Sequence, residues 1–580
     1  AFYQLLSFLF RTPTTLRLKD YNCTPVMNPT SKVRLVSLLP YLALTLAIVP
    51  SLIWVMLDQR VWPWDQAWYG QVSVELFYKL ISSPLDWAGA MVGAFGTKAP
   101  GVSWLGQFFV PLGAAIGSID IGLLLSILAT QLLTLVLVFK SVQELSGGKT
   151  LTAIVAGLTV ASAPLFVALS YQYFVEPMQT CAVAWFILIM SCAPRWNRRL
   201  ILVQLLAATA LAMLAKVTSP LYCLFPGLLS LGYAFVPLRQ PENHASESPK
   251  WLIPATAVLG GILGLGTIAW YIKNLSAILQ FAAQSSSGAV AELYGTKDTF
   301  ANKVVYWLGA IQSNFFFPGV LILASLVLVV GLGQYFLRRD FKLSHFDHCA
   351  IVSVLHLGVT IAVLSLSINQ ENRYLLPLAP YLALLIAWSL NQLNQPILTG
   401  FMTLVFTLQL AAVDGQALGI TDKNLQIAYW LYPVERDAKN FKNLNEVARR
   451  TCTEAGKNRL NVVGIELPWL NANSAAYFAA KQFESRNLRC YYTSLGYAET
   501  EPTKAWQRLV SLNPNYFIAL DKRFVTICSR RDRSQRPMTE PLTKTVTGQG
   551  ECSPMVCLST MSETSTPRST RSWRRSSRPA

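Results

Sequence analysis

The chain has 580 residues, 53% of them apolar and only 13% charged, and its mean hydropathy is +0.38. Soluble domains carry about 25% charged residues because their surface must be polar, so this composition excludes an ordinary soluble domain and leaves a chain covered largely by lipid. The formal net charge of +18 does not point to nucleic acid, because much of the excess falls in short loops beside apolar runs, where it orients membrane proteins.

A membrane span needs about 20 predominantly apolar residues. Eleven runs qualify in chain order: 35–57, 119–140, 150–169, 177–193, 199–215, 219–237, 251–271, 313–337, 348–368, 373–391 and 397–414. Residues 1–34, with Arg11, Arg17, Lys19, Lys32 and Arg34, read as a cytoplasmic segment, and run 35–57 is expected to serve as the insertion signal. The stretch 101–117 is apolar but short and holds Pro111 and four Gly. It is expected to lie along the interface or dip into it. Counting it as a crossing would move the clusters Arg195, Arg198, Arg199 and Arg338, Arg339, Lys342 to the outer side, against the rule that basic loops stay inside. Eleven spans therefore fit better than twelve.

This path puts two long loops, 58–118 and 272–312, on the outer side. In the first, Trp68, Val72, Leu76 and Leu80 recur every four residues, which predicts a helix over 66–81 lying on the membrane. The second carries Gln284-Ser285-Ser286-Ser287-Gly288 and reads as a loop with a flexible centre, of a length that is uncommon unless functional. Asp65, Glu75, Lys98, Glu176, Lys216, Glu371 and Arg373 all fall on the same side, at span ends or in loops. Taken singly, each reads as a solvated loop charge or an interfacial anchor; together they outline a polar cleft.

Beyond residue 420 the pattern changes. Helical stretches at 434–456, 471–486 and 501–511 alternate with strand-like stretches at 460–466, 488–494 and 516–520. That alternation predicts a small extracytoplasmic α/β domain over 420–525 with a parallel sheet. It has no glycine-rich phosphate loop, so no nucleotide is expected. The ten Cys show no metal spacing; Cys452 and Cys490 in this domain could pair in an oxidising compartment. With four His in all, and His345 and His348 in a charged loop, a His-based metal site is not expected. The remainder, 526–580, is rich in Ser, Thr, Arg and Pro without periodicity and is expected to be a basic disordered tail.

Four short motifs carry a resemblance. Asp65 follows the first span and precedes an aromatic-rich helix. Lys98-Ala99-Pro100-Gly101 opens the second interfacial segment. Tyr173-Phe174-Val175-Glu176-Pro177 starts a span, and Glu371-Asn372-Arg373-Tyr374-Leu375-Leu376-Pro377 starts a later one. Ala215-Lys216-Val217-Thr218 adds a lysine-bearing turn. Over about residues 35–415 this layout resembles the GT-C superfamily of glycosyltransferases that use polyprenyl-phosphate sugars. More narrowly it is similar to family 39, which includes protein O-mannosyltransferases and aminoarabinose transferases. Gln66 stands where that family often has a second acid, and Ala99 where it often has Pro.

The resemblance implies a GT-C fold and sugar transfer with inversion at the anomeric carbon. The residue chemistry agrees. Such a transfer needs a base for the acceptor hydroxyl and cations for the departing phosphate. Asp65 is the candidate base, with a pKa expected to be raised by partial burial. Lys98, Lys216 and Arg373 are the candidate phosphate ligands, with Glu371 and Tyr374 beside them. Glu176 would orient the acceptor or help Asp65 bind a divalent metal.

The expected fold is thus an all-α polytopic membrane protein of about eleven spans with a small extracytoplasmic α/β domain. The expected activity is transfer of a sugar from a polyprenyl-phosphate donor to a glycan, lipid or protein acceptor at the outer face of the plasma (inner) membrane. The alternative is a multi-pass transporter or flippase, which would place ionisable residues inside the spans; a third reading is a scaffold displaying the 420–525 domain.

Overall fold

A computed structural model describes residues 30–235, 251–338, 343–420, 431–436, 438–453, 460–486, 488–496, 501–521, 524–530 and 555–559. The expected segment 1–34 lies almost wholly outside them. The first unit is helical: α1 (Thr30–Leu46), α2 (Val49–Leu57), α3 (Trp64–Ser82), α4 (Pro84–Gly93), α5 (Gly101–Gly106), α6 (Val110–Ile116), α7 (Ile119–Leu145), α8 (Thr150–Ala161), α9 (Pro164–Ala168) and α10 (Glu176–Cys192). There follow α11 (Arg198–Ala215), α12 (Ser219–Phe235), α13 (Leu252–Ser287), α14 (Ala289–Leu293), α15 (Phe300–Phe315), α16 (Pro318–Leu337), α17 (His345–Leu366), a 3-10 turn at Asn372–Leu378 that continues into α18 (Ala379–Leu393), and α19 (Pro396–Ala417).

Each of the eleven expected spans corresponds to a helix, but not all are straight, full-length crossings. Among the described residues, eight helices are long and apolar enough to cross a membrane. A ninth, α8 with α9, is bent by 60°. Pro164 causes the break: it has no N–H to donate, and its ring excludes a continuous helix. The other two, α10 and α12, have 17 residues each and rise only about 26 Å at 1.5 Å per residue, short of a hydrocarbon core of about 30 Å. The strict count is therefore eight or nine rather than eleven, and the chain is a multi-pass membrane protein. Helix α17 also corrects an expectation: His345 and His348 are on its first turns rather than in a loop, and Ser344 caps it with a reciprocal Asp347 bond.

The largest difference lies in 272–312. Instead of a loop with a flexible Ser-rich centre, α13 runs unbroken through Ser287 for 36 residues, about 54 Å at the helical rise. Ser286 and Ser287 return their hydroxyls to Ala283 O at 3.3 Å, which satisfies them inside the helix. The segment is then tied to the strip before the 3-10 turn. Ile368 N donates to Ser286 O (3.0 Å) and Gln370 N to Tyr294 O (3.1 Å). Lys303 Nζ donates to Ser367 O (2.9 Å), and Tyr306 Oη bonds Gln370 O (2.8 Å) and Asn372 Oδ1 (2.7 Å).

Two small residues let α5 close on its neighbours. A Cβ on Gly106 would overlap Tyr173 Oη, and one on Gly101 would sit 2.5 Å from Leu214 O, near the end of α11. Tyr173, fully buried, spends its hydroxyl on Val102 O and Ser73 Oγ, both at 2.9 Å. Ser103 Oγ donates to Tyr69 O at 2.8 Å. These bonds fix α3, α5 and the start of α10 to one another. The strip 431–436 is fastened to the end of α2: Asp58 accepts from Glu435 N (2.8 Å), and Arg60 Nη2 donates to Pro433 O (2.7 Å).

A second unit is formed by Val61–Trp64 with the described residues from Lys439 onward. Its helices are α20 (Lys439–Thr451), α21 (Ala472–Phe483) and α22 (Pro502–Leu512). Its strands, β1 (Leu460–Val463), β2 (Tyr491–Ser494), β3 (Tyr516–Asp521), β4 (Phe524–Arg530) and β5 (Met555–Ser559), lie in the order β2-β1-β3-β4-β5. The first three pair in parallel, as expected for βαβ crossovers, but β4 and β5 add antiparallel, so the sheet is mixed. Strands β4 and β5 also run into the expected tail; the rest of 526–580 lies outside the described residues. Cys452 and Cys490 are disulfide-bonded, with Cα atoms 5.6 Å apart. Trp62 stacks on Tyr477 with centroids 5.1 Å apart, and Trp64 Nε1 donates to Glu466 Oε2 at 3.0 Å.

Candidate active site

Five separate parts of the helical unit deliver charged side chains to one place. Helix α3 brings Asp65 on its first turn, and the loop before α5 brings Lys98. Helix α10 begins with Glu176. The junction of α11 and α12 brings Lys216, and the strip leading into the 3-10 turn brings Glu371 and Arg373. Lys98 Nζ is 2.5 Å from Asp65 Oδ1, and Arg373 Nη2 is 3.7 Å from Asp65 Oδ2. Lys216 Nζ is 2.7 Å from Glu176 Oε1, and Arg373 Nε lies 3.6 Å from the same oxygen and 3.3 Å from Glu371 Oε2. Arg373 thus touches all three carboxylates. Three acids and three bases form one connected network that is neutral when all six are ionised.

Of the seven residues proposed for the outer cleft, six meet here. Glu75 does not join them: it accepts from Gln71 at 2.7 Å and lies ten positions beyond Asp65 on α3, about 15 Å along the helix axis.

Aromatic rings line the cations. The Lys98 ammonium lies 5.2 Å from the Trp68 ring centroid, 5.8 Å from Tyr69 and 5.9 Å from Phe281 of α13. The Lys216 ammonium is 3.8 Å from the Tyr374 ring, and the Arg373 guanidinium 4.5 Å from Phe174. Cation–ring attraction of this kind grows as water is excluded. Tyr374 is held in turn by Tyr222 Oη, which donates to its carbonyl at 2.7 Å. Phe95, in the left-handed region at φ 64, packs edge-on against Trp68 and Tyr69; an aromatic residue held there stores backbone strain in the loop that presents Lys98.

Sequence reasoning missed Trp68, Tyr69, Phe174 and Phe281 as site walls, and Gln66 as a support. Gln66 is buried, donates to Gln172 Oε1 and accepts from Tyr173 N, both at 3.3 Å. An amide in place of a second acid therefore ties α3 to the entry of α10. The aromatic-rich string after Asp65 was the available signal for the walls.

The electrostatics correct one expectation. Burial pushes the Asp65 carboxyl up, but Lys98 and then Arg373 outweigh it and hold the group below its ordinary value. Its pKa is lowered, not raised. With its side chain 27% exposed, Asp65 is an ionised carboxylate open at one edge. Burial raises Glu371, with Arg373 drawing it partly back. Burial also brings the Lys216 ammonium down to about 8, against the pull of Glu176.

Among the described residues there is no group of three or more metal-ligating side chains. The Asp65–Glu176 pair does not fit a divalent metal either, because Arg373 stands within 3.7 Å of both carboxylates, Lys98 holds the other oxygen of Asp65, and Lys216 shares Glu176 Oε1 with Arg373. Two oxygen donors facing three fixed cations would bind a metal ion poorly. The positive edges of the cluster suit an anion instead. Glu176, only 1% exposed, keeps Oε2 without a hydrogen-bond partner.

No family model matches the chain, and no curated protein matches it. Among solved structures, the chain is similar to ArnT from Cupriavidus metallidurans bound to undecaprenyl phosphate, at 14% identity over 82% of this chain and 88% of that one, with a TM-score of 0.48. The apo state of the same protein gives 14% identity over 83% and 88%, with a TM-score of 0.49. The Archaeoglobus fulgidus oligosaccharyltransferase tethered to an acceptor peptide gives 12% identity over 83% and 69%, with a TM-score of 0.43.

Proposed function

We propose that this chain is a membrane glycosyltransferase that moves a sugar from a polyprenyl-phosphate donor to an acceptor hydroxyl or amine at the outer face of the plasma (inner) membrane. One observation carries the reading: an ionised, edge-exposed carboxylate, Asp65, shares a single cluster with Lys98, Lys216 and Arg373 at one end of the helix bundle. The step needs this combination. Asp65 takes the acceptor proton as the acceptor atom bonds to the anomeric carbon. The bond from that carbon to the phosphate oxygen breaks, and its electron pair stays on the phosphate. The donor phosphodiester carries one negative charge and the released monoester up to two, so nearby fixed cations favour the transition state over the bound donor.

The ion pairs suggest how the donor prepares the site. A phosphate that draws Lys98 and Arg373 toward itself releases the oxygens of Asp65 and makes that carboxylate a better base. Glu176 keeps Lys216 in place, and the aromatic walls keep water from the cations. Tyr374 packs against Lys216. The Cys452–Cys490 disulfide supports an oxidising compartment for the second unit.

The test is sugar transfer in membranes containing the chain, with a panel of radiolabelled polyprenyl-phosphate sugars and an endogenous acceptor extract. Wild type should transfer from at least one donor. Asp65→Asn at matched expression should lose roughly a hundredfold or more, the scale of general-base catalysis. Transfer at the wild-type rate by Asp65→Asn removes it as the base, and failure with every donor by a folded protein rejects the reading.

A further inference from the structure

The helices that carry the cluster carry a second polar site at their other ends. Helix α10 starts at Glu176 and ends at Cys192, about 26 Å away at the helical rise, just before Arg195. The 3-10 turn and α18 run from Arg373 to Gln392. There, at the opposite end of the bundle, the ends of α7, α10, α16, α17 and α18 surround a cavity of about 410 Å³ lined by Glu144, Arg195, Arg338, Ser344, His345 and Gln392, among others.

Its chemistry is uneven in an informative way. Two guanidiniums line it beside the Glu144 carboxylate: Arg195 pairs with Glu144, while Arg338 makes a long bond of 3.5 Å to Gln392 O and lies within electrostatic reach of Asp347, behind the wall. His345 is satisfied as a wall residue, with Tyr233 Oη at 3.0 Å from Nδ1 and Met190 O at 3.0 Å from Nε2. Gln392 is only 4% exposed, yet its Oε1 has no partner. Its orientation is not free. Nε2 must face Asp347 Oδ1, which it reaches at 2.7 Å and which also accepts from Trp388 Nε1 at 2.8 Å, so the amide oxygen is the atom left over. The cavity thus offers cations for an anion and a carboxylate for a donor within one space.

We infer that this cavity binds a phosphodiester headgroup that carries an N–H or O–H donor beside the phosphate, of the phosphoethanolamine or phosphoglycerol type. Arg195 and Arg338 take the phosphate oxygens, and the Glu144 carboxylate, 28% exposed, takes the donor. The cavity is at the ends of membrane helices, where a phospholipid presents this group; a water-soluble glycerophosphodiester presents the same chemistry.

Both arginines are exposed, so their replacement leaves the core intact. Full-length protein, stripped of lipid in detergent, is titrated by native mass spectrometry with dioleoyl phosphatidylethanolamine, phosphatidylglycerol and phosphatidylcholine. Parallel calorimetric titrations use soluble glycerophosphoethanolamine. The expected result is one tight ethanolamine or glycerol lipid per chain, retained about tenfold better than phosphatidylcholine, whose headgroup has no donor. This preference should vanish in the Arg195→Gln/Arg338→Gln double variant, which loses charge-assisted phosphate bonds. Single Arg338→Gln should give a partial loss at unchanged size-exclusion profile. Tight binding of the soluble diester that the double variant abolishes supports the same site with a soluble source. Equal retention of all three lipids without binding of the soluble diester, or binding unchanged in the double variant, overturns the assignment.

Discussion

Lys216 offers the sharpest test of the charge network, because burial holds its ammonium at about 8 instead of the ordinary value near 10.4. Raising the pH from 7 to 9 therefore lowers its protonated fraction from about 0.9 to about 0.1. A single cation about 4 Å from a phosphate contributes about 1 kcal/mol in water and about 4 kcal/mol at an effective dielectric of 20. The deprotonated form should then bind donor at least roughly fivefold more weakly. Combining the two ranges, kcat/KM should fall about three- to tenfold between pH 7 and pH 9. The donor phosphodiester does not titrate in this window. Bound donor raises the lysine pKa, so kcat should hold while KM rises, since kcat/KM reports the free enzyme and kcat the complex. Lys216→Arg stays charged throughout and should lose this alkaline limb. Initial rates against donor concentration at half-unit steps from pH 6.5 to 9.5 decide it. A flat kcat/KM in wild type, or the same limb in Lys216→Arg, refutes the assignment of Lys216 to the phosphate. The stability sign is opposite: between about pH 8 and the ordinary lysine value the unfolded chain holds the extra proton, so stability should rise with pH across that window.

Other perturbations follow from the same geometry. Glu176→Gln removes the carboxylate 2.7 Å from Lys216, so the alkaline limb should move to lower pH in the same rate series. Asp65 titrates below the ordinary carboxylate range, so the acid limb of kcat/KM should lie below about pH 4; a limb near 6 would mark another group as the base. Arg373→Lys loses the planar fork that reaches Asp65, Glu176 and Glu371 together, and kcat/KM should drop about ten- to a hundredfold, in keeping with the non-equivalence of the two cations. Gly106→Ala forces a Cβ into Tyr173 Oη and should destabilise by about 1–3 kcal/mol, visible as a lower thermal midpoint in detergent. Cys452→Ser with Cys490→Ser opens a 38-residue separation and should cost about 4 kcal/mol by chain entropy, read as faster limited proteolysis after residue 439.

The spans and the charged residues were legible because both follow simple rules. Apolar runs of about 20 residues mark helices, and isolated charges at their ends stand out against a chain with 13% charged residues. Six of the seven chosen residues converge. The helical continuation through Ser285–Ser287 was hidden because serine is also a loop residue, and only the bonds from 367–372 and the return of two hydroxyls to Ala283 settle it. The sheet's antiparallel half was missed although β4 begins with Phe524, Val525, Thr526 and Ile527, residues that favour strands; the run is short and leads into a segment dominated by Ser, Thr, Arg and Pro, which masked it. The direction of the Asp65 shift could not be read from the chain at all. It depends on Lys98 and Arg373, which lie 33 and 308 positions away and oppose a burial effect of opposite sign. Gln66 looked like a missing acid and proved to be a tie between two helices.

The neutrality of the six-residue network also bears on how such a site can change over generations. Replacing any one member leaves a largely buried charge without its counterpart, which costs several kcal/mol, whereas exchanging an acid and a base together keeps the balance. Asp65 with Lys98, and Glu176 with Lys216, are the pairs in closest contact, and Arg373 is common to both. Substitutions among relatives should therefore come in matched pairs at Glu176 and Lys216, while Asp65, as the base, and Arg373, which no single partner can compensate, should be the slowest of the six to drift.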